Sequence, residues 1–241
     1  MLRRRMFPLI PLALAALAAF AALTDASAAS MDVTLNFASL PSAQGFTYTP
    51  TGAHAAVLEP NVFSVSGGVL TQNTMGQSNG ISGGGILYQI NGGMTATETK
   101  QIRVRTRCLQ VEGSAGAPSG EGGLVFGFSI GSVQYAWTLT PTKILVLQST
   151  SYVAIPGVYD NTVFHDYTFE FIPPTTYRTW RDGGLINTST VGYGIVANRL
   201  FIGDGTGGAN ARGEITSFRF IQDIATATRS SSWGRIKGLY R

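Results

Sequence analysis

The chain has 241 residues, with 17 Lys and Arg against 13 Asp and Glu, two His and one Cys, and carries a formal charge of +4 and a pI near 9.4. Charged residues are 12% and apolar ones 44%, which excludes a disordered polyelectrolyte, and a single Cys excludes an internal disulfide framework or a Cys-rich zinc module. The length suits one large all-β domain or two small domains.

The chain opens with a targeting pattern. Arg3, Arg4 and Arg5 form a basic start, an apolar run covers 9–23, and Ala26-Ser27-Ala28 supplies small residues for cleavage. The run, about 15 residues, is shorter than a membrane span. The pattern predicts a signal peptide over 1–28, export to the extracellular space, cell surface or periplasm, and a mature chain without a transmembrane helix. A domain over 29–223 and a tail over 224–241 complete the organisation.

The body lacks helical periodicity and is rich in β-formers, Gly and Thr. Strands are expected at 33–37, 46–48, 62–65 and 69–72, the last after the Gly67-Gly68 turn, and again at 86–90. The run 102–111 alternates Ile102, Val104, Thr106 and Cys108 with Arg103, Arg105, Arg107 and Leu109, the mark of a strand with one wet face. Residues 124–130 and 133–139 flank Gly131-Ser132 as a hairpin. Further strands are expected at 144–147, 152–155 and 164–171. A second hairpin, 177–181 and 185–188, turns at Asp182-Gly183-Gly184, and 200–202 and 214–221 close the list. Thirteen or so strands fit one two-sheet sandwich.

The basic character sits at the ends. Residues 30–226 hold ten Lys and Arg against twelve Asp and Glu, a net of −2, while the tail carries Arg229, Arg235, Lys237 and Arg241. A nucleic-acid binder needs its basic face on the folded domain, so that class is excluded.

The run His165-Asp166-Tyr167-Thr168-Phe169-Glu170-Phe171 resembles the Trp-His-x-Tyr-x-Leu strand of concanavalin-A-like and laminin-G-like sandwiches. A strand ending in Asp182-Gly183, the run Phe201-Ile202-Gly203-Asp204, a Gly-rich loop and a last strand over 214–220 follow in the same order. Phe46-Thr47-Tyr48 and Val69-Leu70 behind a Gly pair also resemble exported bacterial members. The resemblance implies an all-β, two-sheet antiparallel jelly roll. It leaves function open, because lectins, glycosidases, lyases and adhesion modules share this fold.

The motifs narrow the chemistry. Gly203-Asp204-Gly205-Thr206-Gly207-Gly208 fits G-x-G-x-x-G, but a strand follows where a dinucleotide site needs a helix. The segment reads as an inter-strand loop, with Asp204 as a candidate Ca²⁺ ligand helped by Glu214 and Asn210. Paired-carboxylate glycosidases of this fold carry acids on alternate strand residues, and here no two body acids stand at i, i+2. Asp166 and Glu170, four residues apart, lie about 13 Å apart in a strand, beyond that chemistry. The lyase strands of the family are absent. His165 falls where the family keeps a structural His, and His54 is expected to be solvated in a loop.

Arg103, Arg105 and Arg107 form a ladder that is either a solvated face with cross-strand acids such as Glu170 or a grip for an acidic glycan. Tyr135, Trp137, Tyr177 and Trp180 are candidates for stacking on sugar rings, weighed against places in the core. Cys108 is expected to be a buried small hydrophobe. In the tail, Trp233, Arg235, Ile236, Lys237 and Tyr240 form a candidate sorting or anchoring segment, touching export machinery or an anionic membrane surface. The expectation is an exported, non-catalytic recognition module for carbohydrate or a cell-surface partner. The alternatives are a glycan-cleaving enzyme with an atypical site and a structural protein of the cell surface or matrix.

Overall fold

The structure, a computed structural model, describes residues 31–77, 85–113, 122–148, 151–190, 193–194, 197–205 and 210–222. The signal segment, the tail with Trp233, Arg235, Ile236, Lys237 and Tyr240, and residues 206–209 of the Gly-rich loop lie outside them. In chain order the strands are β1 (Asp32–Leu35), β2 (Thr47–Pro50), β3 (Phe63–Ser66), β4 (Val69–Asn73), β5 (Ile86–Asn91), β6 (Lys100–Glu112), β7 (Leu124–Ile130) and β8 (Val133–Leu139). They continue with β9 (Ile144–Gln148), β10 (Ser151–Ala154), β11 (His165–Ile172), β12 (Thr176–Arg181), β13 (Gly184–Ser189), β14 (Tyr193–Gly194), β15 (Arg199–Asp204) and β16 (Asn210–Gln222). One helical turn, α1 (Glu59–Val62), precedes β3.

The strands form two antiparallel sheets that do not close into a barrel. The first runs β13-β12-β11-β6-β16-β4-β3, with β1 pairing with β16. The second runs β10-β9-β8-β7-β15-β5-β2, with β14 beside β8. The alternation expected for β6 holds: Ile102, Val104, Thr106 and Cys108 are buried, while Arg103 and Arg105 are exposed. Burial pushes the Cys108 thiol up to about 12, so it is a protonated core group. The hairpin β12–β13 turns on two residues, Asp182 (φ 50°) and Gly183 (φ 79°). Both lie in the left-handed region, which a tight hairpin turn requires and Asp-Gly supplies.

Several boundaries differ from the sequence reading. β14 and α1 were not foreseen, being too short to carry a pattern. β16 starts at Asn210, four residues before the expected strand, because Gly213 does not break it. A Cβ on Gly213 would lie 2.6 Å from the Arg107 carbonyl oxygen and 2.6 Å from Leu124 Cδ1. The glycine is there for close approach inside the ladder, a role strand glycines often have.

The core between the sheets is aromatic. Trp137 stacks on Phe169 at 4.7 Å and meets Tyr177 edge-on at 5.7 Å. Its indole N–H donates to Thr179 Oγ1 at 2.9 Å, so the one polar atom of the ring is satisfied inside the core. Lys100 is also fully buried: its Nζ donates to the Glu98 carbonyl at 2.6 Å and lies 5.5 Å from the Phe171 ring centroid. Burial lowers its pKa to about 8.

Candidate functional site

Cross-strand register sets the outward face of the first sheet. Arg103 on β6 stands opposite Thr168 on β11, which stands opposite Trp180 on β12, which stands opposite Leu185 on β13. The β12–β13 register slips between Thr179 and Trp180, so that Ile186 is skipped. Such slips re-aim side chains. Gln101, Arg103, Thr168, Trp180 and the turn residue Gly183 line a shallow cleft of about 220 Å³.

A polar relay fixes one wall of this cleft. Arg103 donates through Nε and Nη2 to Gln101 Oε1 at 3.0 and 2.7 Å, and Gln101 Nε2 donates to Glu170 Oε1 at 2.7 Å. The rest of the ladder is engaged elsewhere. Arg105 pairs with Asp166 at 2.8 Å, and Arg107 pairs with Glu214 at 2.7 Å and covers the Phe164 ring at 4.6 Å. The cross-strand acids are therefore Asp166 and Glu214. Glu170, the partner expected from the sequence, faces Gln101 in the register. Arg105 and Arg107 spend their charge on neighbours and do not present a free anionic grip.

The four aromatic candidates separate by strand parity. Tyr135, Trp137 and Tyr177 are 5%, 0% and 1% exposed and belong to the core, so their faces are not offered to a sugar. The reason is alternation: Tyr135 and Trp137 share a face of β8 with Val133 and Leu139, and Tyr177 and Trp180 lie on opposite faces of β12. Only Trp180 of the four faces outward, and it is half-buried. The structure thus brings together two predicted residues, Arg103 and Trp180, and parts them from Arg105, Arg107, Tyr135, Trp137 and Tyr177.

The outward face of the second sheet contains a constellation that sequence reasoning missed. Leu87, Val125, Ala136, Leu147 and Phe201 form a second apolar cluster, separate from the central core. At its margin Arg199 donates from Nη1 to Gln89 Oε1 at 3.2 Å and from Nη2 to Gln134 Oε1 at 3.4 Å, and lies over the Phe201 ring at 5.3 Å. Arg199 stands just outside the apolar run 200–202. Its parity with Phe201 was the available signal.

Comparison with known proteins rests on structure alone. No family model matches the chain, and no curated protein is similar enough in sequence to count as a relative. A carbohydrate esterase from Shiga toxin-encoding bacteriophage phi24B is 15% identical, covering 80% of this chain and 99% of that one, with a TM-score of 0.52. A protein of unknown function from Shewanella oneidensis MR-1 is 11% identical, covering 90% and 96%, also at 0.52. A β-1,3-1,4-glucanase derived from a mouse hindgut metagenome is 12% identical, covering 80% and 99%, at 0.46. The fold is the concanavalin-A-like jelly roll. Identities this low establish that architecture and nothing about activity.

Within the jelly roll, His165 closes one end of the first sheet. Arg181 Nη2 approaches its Nε2 at 2.6 Å and Asp182 Oδ2 its Nδ1 at 2.7 Å. Arginine only donates, so Nε2 accepts and Nδ1–H is given to Asp182. The ring ties β11 to the β12–β13 turn, as expected of a structural His. His54 is a correction: it is 1% exposed rather than solvated. The short turn Gly52–His54, and the Val57 N–H given to the His54 carbonyl at 2.8 Å, fold that loop back on itself.

Asp204 is also interior, at 1% exposed, and accepts from the Thr74 hydroxyl at 2.5 Å. That hydroxyl in turn accepts from the Ala211 N–H at 3.0 Å. The helper Glu214 is committed to Arg107 on the outward face, away from the buried Asp204, while the helper Asn210 is buried. Among the described residues no group of three or more His, Cys, Asp or Glu could hold a metal ion. Among them, too, no helix is long and apolar enough to cross a membrane.

Proposed function

We propose that the chain is an exported, non-catalytic carbohydrate-binding jelly roll that takes one sugar ring in the Trp180 cleft. The observation that carries this reading is the meeting of an outward indole with the Arg103–Gln101–Glu170 relay in one cleft. Stacking on the indole recognises the C–H face of a pyranose. Arg103, which among the described residues hydrogen-bonds Gln101, has N–H donors left for sugar hydroxyls, and Thr168 both donates and accepts. The signal pattern over 1–28 supports export.

The acids of this face support binding over hydrolysis. Asp32, Asp166 and Glu214 are each held by an arginine, and the Arg219 guanidinium keeps the Asp32 carboxyl below its ordinary range. A carboxylate fixed in this way does not serve as the proton donor that glycoside cleavage requires. A glycan array with the full chain, run with and without Ca²⁺, tests the proposal. Retention of a neutral oligosaccharide in both conditions is expected, falling about tenfold or more in Trp180→Ala. Equal retention by that variant, or release of reducing ends or unsaturated products from the bound glycan, overturns it.

A further inference from the structure

Arg199 lies across the sandwich from the Trp180 cleft; it is partly buried and has no carboxylate partner among the described residues, whereas Arg103, which also bonds an amide oxygen, is exposed. Arg105, Arg107 and Arg219 each meet a carboxylate, and Arg178 stands 3.9 Å from Glu170. Arg199 is partly buried, yet its contacts are two side-chain amide oxygens, both at long distance, and the face of Phe201. Its Nε is buried and has no hydrogen-bond partner among the described residues. A guanidinium carries five N–H donors, and only two are engaged here.

Its neighbours add donors and no negative charge. Gln89 and Gln134 turn their oxygens toward Arg199, and Ser129 Oγ donates to the same Gln134 oxygen at 3.3 Å. The amide NH₂ groups of both glutamines make no hydrogen bond of their own among the described residues. The register places Asn91, Arg199, Ser129 and Gln134 in one row across β5, β15, β7 and β8, with no acid in it. A partly buried cation without a counter-charge is unfavourable unless something completes it. What completes a guanidinium fork flanked by amide donors is an oxyanion, and a planar carboxylate matches the fork bidentately.

We infer that Arg199, with Gln89 and Gln134, forms a second binding site that takes the carboxylate of an acidic sugar residue. The site lies on the sheet opposite the Trp180 cleft and does not depend on that reading. Calorimetric titration of the full chain tests it with three probes: tetragalacturonate, the same oligosaccharide with its carboxylates reduced to alcohols, and inorganic sulfate. Tetragalacturonate is expected to bind saturably, sulfate more weakly, and the reduced sugar without any contribution from Arg199. Arg199→Gln lowers the tetragalacturonate affinity about tenfold or more. Arg199→Lys keeps the charge but loses the fork, and lowers it by a smaller factor, which serves if the first variant folds poorly. The inference is overturned by no saturable binding of tetragalacturonate, by equal affinity for the reduced sugar, or by no change in either Arg199 variant.

Discussion

On the first sheet the outward positions of β6 and β11 are Gln101, Arg103, Arg105, Arg107, Asp166, Thr168 and Glu170, all at least partly open to water. On the second sheet the outward positions of β7 and β8 include Val125, Gly127, Ser129, Ala136 and Thr138, all buried. One sheet is stabilised from its inner side and leaves its outer side to polar pairs. The other is sheltered on both sides and leaves only its margin, at Gln89, Gln134 and Arg199, to polar chemistry. A strand with one wet face shows a period of two, whereas a strand covered on both faces shows only a continuous apolar run. The contrast therefore sets where ligand contacts can sit and also which strands declare their orientation in the sequence.

The sharpest way to break this contrast is to put one charge on each outward face. Val125→Asp buries an unpaired carboxylate and is expected to cost several kcal/mol. Thr168→Asp, on the first sheet, is expected to change stability by about 0.5 kcal/mol or less. Chemical denaturation of both variants checks the difference; similar effects would remove the distinction. Gly127→Ala comes next, at roughly 1–3 kcal/mol for overpacking. Its new methyl would lie 2.4 Å from the Tyr135 carbonyl oxygen and 2.6 Å from Phe201 Cζ, so the ring that carries Arg199 must move.

Lys100 provides a pH test of the first sheet's inner side. Its folded pKa, about 8, lies below its unfolded value, so the unfolded chain binds more protons between about pH 8 and 10.5. Stability should rise with pH from about 8 to 9, above which the Cys108 thiol, held protonated to about 12 by burial, offsets the Lys100 gain. It should then fall above about pH 10, where tyrosines such as Tyr167 and Tyr177, held protonated to about 12 by burial, would ionise on unfolding. Thermal melts from pH 7 to 10 should show the rise, and Lys100→Met should flatten it. A small effect is expected from Arg105→Ala, about 0.2–1 kcal/mol, because its pair with Asp166 is solvent-exposed. A larger loss would show that the polar face supports the fold as well as dressing it.

Legibility followed the same division. β6 and β11 could be read with their orientation, because apolar and polar residues alternate, and β7 and β8 could be bounded by their turn. The outward side of β8 could not be chosen from chemistry, since Tyr135 and Trp137 are equally good sugar platforms and core residues. Their parity with Val133 and Leu139 carried the answer. Arg103 and Trp180 could be named as residue types, but their meeting across Thr168 depends on a three-strand register that no local pattern encodes. Arg199 was hidden by position, at the first residue of a strand whose apolar part begins one residue later. Asp204 takes the hydroxyl of Thr74, 130 residues away in sequence, and that hydroxyl also takes the N–H of Ala211.

The placement of β16 has a consequence in time. The last described strand lies in the middle of the first sheet, between β6 and β4, and β1 pairs with it as well. The two halves of that sheet have no shared neighbour until residues 210–222 exist. Pairings of such high sequence separation are slow to form, and strand edges stay open meanwhile. A ribosome-bound chain thus holds an unfinished sheet, with open strand edges, until residues 210–222 emerge.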